Sequence, residues 1–191
     1  MGSVLWHLRN RAHQRLLEGE DSAPTQAPEV APDEQATLMV AVDSDNTLQP
    51  RVLSLPLPQN PEARARAVLG RLLDLYAAQN SPHPVPGGAT SILQVFLTPI
   101  RDAGGQPAAD GSQMAIVNFT GSFASSHPSG IEAEALTIFS ICSTLNANLP
   151  HVTQVRFLVD GQPRATLAGH ADLTRTYLAS NEVIGAEGTH P

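Results

Sequence analysis

Apolar and polar residues alternate at several places along the chain, and at two places the apolar ones recur with helical spacing. Leu38, Val40 and Val42 share one face of an extended segment at 37–42, the residues Asp43 to Asn46 supply turn chemistry, and a second strand-forming run is present at 51–57. This pattern predicts a hairpin. From Ala65 through Val68, Leu69 and Leu72 to Tyr76 the spacing becomes that of a helix. Its start is marked by Asn60-Pro61-Glu62. The Asn side chain can accept from free N–H groups of the first turn, proline is tolerated at the first helical position, and a carboxylate there complements the helix dipole. The helix is expected to end near Gln79, before a loop at 81–88 that holds proline and glycine.

The second half repeats the scheme. A strand at 92–97 places Leu93, Val95 and Leu97 on one face, an exposed loop spans 99–112, and a further strand is expected at 113–119. Ser129 and Glu132 have the spacing of a capping box, and Ile131, Ala135, Ile138, Cys142, Leu145 and Leu149 recur at helical intervals until Pro150. A strand at 152–160 turns Val155, Phe157 and Val159 to one side, and Asp160-Gly161 predicts a tight turn returning through 162–167. The order is ββαββαββ. Two helices on one face of a mixed or antiparallel sheet is the economical α+β packing of such a chain.

The ends differ from this middle. Residues 18–35 are rich in Glu, Asp, Pro, Ala and Gln with almost no large apolar side chain, so burial there cannot offset the entropy of ordering. The expected organisation is a juxtamembrane segment and linker at 1–35, one α+β domain at 36–180 and a fraying tail at 181–191. Val4, Leu5 and Trp6 are followed abruptly by Arg9, Arg11 and Arg15, as at the end of a membrane span, which predicts an anchor upstream of Val4.

Composition excludes several chemistries. The net charge is -7, and beyond the first fifteen residues eight basic side chains face eighteen acidic ones, so the positive footprint that nucleic-acid binding needs is missing. Every basic side chain is arginine, which removes a P-loop lysine and a Schiff-base lysine. Cys142 is the single cysteine, so no intramolecular disulfide and no Cys-rich zinc site can form.

Four pieces of the second half act together. Asn118-Phe119-Thr120-Gly121-Ser122-Phe123, a capped helix holding Ser143-Thr144-Leu145, the run Phe157-Leu158-Val159-Asp160-Gly161, and Gly169-His170-Ala171-Asp172-Leu173 resemble, in this order and spacing, the GerMN domain of sporulation and spore germination proteins. The resemblance spans 37–178 and is strongest over 116–173. The 99–112 loop is longer than that pattern, and Cys142-Ser143 depart from it. The resemblance implies a module without catalytic activity or cofactor, outside the cytoplasm, in membrane-anchored chains of the bacterial envelope. It also implies a fold similar to ring-building motifs, with partners among other envelope proteins or copies of itself. A cell-wall glycan or small ligand is the alternative, bound by the 81–88 loop, the 99–112 loop or the GHxDL region.

His170 and Asp172 are the weak binding candidates, and a structural role is favoured for both: Gly169 can supply a positive φ, and Asp172 can cap the segment 173–178. Ser122, Ser125 and His127 suggest a nucleophile and base, but no GxSxG elbow surrounds either serine, so no catalytic residue is assigned. Seven scattered histidines, none paired at i, i+4 on a helix, predict no metal site. Cys142, on the apolar helical stripe, is expected as a small buried hydrophobe.

Overall fold

The computed structural model describes residues 31–179. The basic start, the expected anchor, most of the acidic linker and the tail from Glu182 lie outside them. The fold is α+β, with two sheets. Strands β1 (Asp33–Val42) and β2 (Thr47–Pro56) form an antiparallel hairpin. Helix α1 (Pro61–Ala77) and a short 3-10 turn (Gly88–Ser91) lead to β3 (Ile92–Pro99) and β4 (Gln113–Phe119). Then come α2 (Gly121–Ser126), α3 (Ile131–Asn148), β5 (Val152–Val159) and β6 (Tyr177–Leu178). The second sheet runs β3-β4-β5-β6, antiparallel except where β4 and β5 lie parallel across the crossover through α2 and α3.

Helix α1 begins as its sequence dictates: Asn60 Oδ1 accepts the Ala63 N–H at 2.9 Å, with Pro61 in the first turn. Its row Ala65, Val68, Leu69, Leu72, Leu73 and Tyr76 is buried. Phe119 of β4 stacks on Phe157 of β5 at 5.7 Å and lies 4.6 Å from Phe123 of α2, joining the crossover to the sheet.

Strand β1 is buried at an edge as well as on a face. In the direction away from β2, the N–H groups of Thr37, Met39 and Ala41 donate to Asn148 Oδ1, Thr144 Oγ1 and the Tyr76 hydroxyl, at 3.0, 2.9 and 2.9 Å. Side chains of the two long helices thus take the place of a third strand. A backbone donor withdrawn from water needs a partner, and Thr144, buried in α3, and Asn148, half-buried at its last position, supply two of the three. Burial pushes the Tyr76 phenol up to about 12, against the bonds it makes with Ser140 and Ala41.

Three expectations are corrected. No strand forms over 162–167: Asp160 and Gly161 do adopt the positive φ of the predicted turn (50° and 74°), but only one bridge, Val159 to Gln162, forms before Pro163 removes a ladder donor. The strand returning against β5 is instead Tyr177–Leu178. Leu93 is exposed, because an irregularity of register between Ile92 and Gln94 breaks the alternation. Ile131 is also exposed, since α3 turns Glu134, Thr137, Ile138, Ile141 and Leu145 inward. The loop at 81–88, read from the sequence only as a loop, also sends two side chains into the core: His83 and Val85 are buried, Asp43 N–H donates to Pro82 O, and Val85 N–H to Tyr76 O.

Candidate functional site

Helix α3 is entered through Gly130, not through the expected box of Ser129 and Glu132. Ser129 Oγ lies 3.4 Å from His170 Nδ1. The acid that reaches back is Glu134, whose Oε1 accepts the Gly130 N–H at 3.3 Å. Its Oε2 accepts from the N–H groups of Ala168, His170 and Ala171 at 2.9, 2.9 and 2.8 Å, and Oε1 also lies 2.9 Å from His170 Nδ1. An ionised carboxylate only accepts, so His170 Nδ1 is the donor of that pair.

Burial alone would raise the Glu134 pKa. The bonds from Ala168, Ala171 and His170 outweigh it and bring it down to about 2. Five donors use the acceptor capacity of this carboxylate, so its chemistry is that of an anchor. It fixes the segment carrying Gly169-His170-Ala171-Asp172 onto the start of α3. Gly169 contributes a φ of 125°, in the region that glycine adopts freely.

The two sequence candidates are therefore close together but do not converge. The His170 side chain is partly exposed and tied to Glu134. Asp172 Oδ1 accepts from the N–H and hydroxyl of Thr174 at 2.8 and 2.6 Å, bonds that hold its carboxyl below the usual range. Asp172 closes a turn there, since 173–176 is not helical. The Tyr177 hydroxyl donates to Asp172 O at 2.7 Å and joins this turn to β6.

A second polar cluster joins the hairpin turn, the loop after α1, the end of α2, and α3, with His83, His127 and Thr137 buried and Asp43 at its exposed end. Asp43 Oδ1 meets His83 Nδ1, His83 Nε2 lies 2.6 Å from Thr137 Oγ1, and His127 Nε2 lies 2.8 Å from the same oxygen. His127 Nδ1 lies 2.8 Å from Pro128 O, and burial pulls the His127 pKa down. With both ring nitrogens engaged, His127 offers no base to Ser122 or Ser125. Ser122 Oγ pairs instead with Thr120 Oγ1 at 2.9 Å, and the Ser125 hydroxyl donates to Ser122 O. Cys142 is buried and its thiol pKa is pushed up by desolvation, which leaves it unreactive in the native state. Among the described residues no group of three or more His, Cys, Asp or Glu side chains is arranged to hold a metal ion.

Sequence reasoning did not single out Glu134 or Thr137. The signal was present for the first: Glu134 stands four residues before Ile138 and seven before Ile141, on the face that packs inward. An acid at such a position requires donors.

One exposed feature is apolar. Ile131 and Leu178 are 72% and 73% exposed, and both line one groove of about 500 Å³. Phe139 and Leu136 of α3, Tyr177 of β6 and Leu48 of the hairpin line it. Arg175 lies at its rim, with its guanidinium 4.8 Å above the Tyr177 ring.

Among solved structures, a candidate lipoprotein from Clostridium perfringens is 18% identical, with a TM-score of 0.42, covering 81% of this chain and 93% of that one. The tandem GerMN domains of the sporulation protein GerM from Bacillus subtilis are 15% identical, with a TM-score of 0.41, over 74% of this chain and 44% of that one. The first GerMN domain of the same protein is 17% identical, with a TM-score of 0.38, over 73% and 92%. No relative is found among curated proteins. No described helix is long and apolar enough to cross a membrane. The family model of Germane, described as sporulation and spore germination, matches residues 30–165, and the chain belongs to this family.

Proposed function

We propose that the chain is a non-catalytic protein-interaction module of the bacterial cell envelope, held outside the cytoplasm by an anchor upstream of Val4, and that it binds envelope proteins or copies of itself. The observation that carries this reading is the groove: the two most exposed large apolar side chains of the described residues, Ile131 and Leu178, both line it. The family description names a cellular process and not a reaction, which supports the absence of catalysis. The polar clusters support it too, because Glu134, His83 and His127 all spend their bonding capacity inside the fold.

A photo-crosslinking residue at position 178, expressed in the native cells, tests the reading. The expected result is a discrete protein adduct that is absent when the probe stands at the exposed position 104, and absent again when Ile131→Asp is combined with the probe at 178. Equal labelling from both positions, or none from 178, sinks it. The volume of the groove also falls in the range of small-molecule sites. A thermal shift with cell-wall fragments that Ile131→Asp abolishes, without any protein adduct, would move the assignment to ligand binding.

A further inference from the structure

The second sheet turns one face to the core: Val95, Val117, Phe119, Val155 and Phe157 are buried, and Phe119 meets Phe123 of α2. The residues that alternate with these lie on the opposite face. Register sets Phe96 beside Ile116 and Ile116 beside Arg156, with Met114 and Leu158 in the flanking rows. Phe96 is 40% exposed, Met114, Ile116 and Leu158 are half-buried, and Arg156 is exposed. A sheet face turned to water is ordinarily polar, and strands paired in parallel, as β4 and β5 are, are ordinarily covered on both faces. This face is neither polar nor covered by a described helix.

Its charge says what kind of surface completes it. Arg156 is the one charged side chain that register places on this face, and it has no ion pair among the described residues. Two copies meeting through the face would set Arg156 against its own counterpart with no carboxylate between them, and like charges juxtaposed at an interface oppose binding. The net charge of -7 works against an anionic lipid surface. An apolar protein surface that offers one carboxylate matches both the patch and the cation beside it. Phe, Met and Arg are the side chains that the centres of such interfaces favour. The approach is through the face and not by strand addition at β3, because Glu62 Oε1 takes the Leu97 N–H at 3.1 Å and Pro99 has no N–H.

We propose that the open face of the second sheet, centred on Phe96, Ile116 and Arg156, docks a partner protein through an apolar surface whose carboxylate pairs with Arg156. The proposal goes beyond the groove and stands without it. Leu178 borders both surfaces, since it pairs with Gln154 and lines the groove, but Phe96 lies on β3 at the other edge of the sheet, about 14 Å away.

A photo-crosslinking residue at position 96 of the full chain, expressed in the native cells, tests it in the parent and in Arg156→Gln and Arg156→Glu. The expected result is one protein adduct whose yield falls by roughly tenfold in both variants. Replacing the carboxylate found in the partner's crosslinked peptide by arginine should restore the adduct with Arg156→Glu. Arg156 makes no bond among the described residues, so both variants should unfold at the midpoint of the parent. The proposal is overturned by no adduct at all, or by a yield indifferent to the charge at 156. An adduct of the chain with itself, or with lipid alone, overturns it as well and assigns the face to a second copy or a membrane. Ile131→Asp should leave the adduct at 96 in place, and absence of the adduct at 96 or at 178 alone removes only the reading attached to it.

Discussion

Replacing Glu134 by glutamine isolates the best-defined electrostatic feature of the fold. The carboxylate titrates at about 2 in the native protein against an ordinary value of 4.5. Each factor of ten in proton affinity is worth about 1.4 kcal/mol, so the folded state gains about 3 kcal/mol from keeping Glu134 ionised. The native value is depressed, so this contribution is fully present above pH 4.5, declines as the pH falls, and is gone below about pH 2. Glutamine keeps the shape but lacks the charge, and its amide N–H groups oppose donors from Ala168, His170 and Ala171. Urea unfolding of both proteins from pH 7 to pH 2.5 measures the effect. The expected loss in Glu134→Gln is about 3 kcal/mol at pH 7, narrowing toward zero as the pH approaches 2. Other carboxylates also titrate in this window, so the informative quantity is the difference between the two curves. A difference that stays constant with pH, or a variant as stable as the parent at pH 7, would refute the reasoning that the clamp acts through charge.

Removing the Tyr76 hydroxyl as Tyr76→Phe leaves the buried Ala41 N–H without its acceptor and should cost about 1–3 kcal/mol in a urea titration. Thr144→Val acts on the same strand, and it should raise amide exchange at Met39 more than at Leu38, whose position in the ladder alternates toward β2. The Cys142 thiol should react with a disulfide reagent only at the rate of native-state opening, so its labelling should accelerate in step with urea. Pro50 is the register partner of Met39, whose N–H points away from the ladder, so Pro50→Thr gives β2 an outward N–H, and static light scattering should show stronger concentration-dependent association than in the parent chain.

Local chemistry was legible where the decisive interaction lies within a few residues. Asn60-Pro61-Glu62 started α1, Asp160-Gly161 made its turn, and the burial of Leu38, Val40, Val155 and Phe157 came from alternation. The sporulation and germination family was legible as well, from four motifs whose spacing survives in the chain. Tertiary structure decided the rest, because the competing choices were equal in local energy. Ser129 and Gly130 could each have entered α3, and the five donors around Glu134, most of them from Ala168, His170 and Ala171, selected Gly130. Ile131 and Leu145 look alike as apolar helical residues, but only the packing of α3 against β1 and β5 tells which of them is buried. Whether 162–167 or 177–178 would pair with β5 depended on where Glu134 held the intervening segment. Among the described residues β6 stands at an edge, and that is a property of the whole sheet, since an edge exists only once every other strand has found its neighbour.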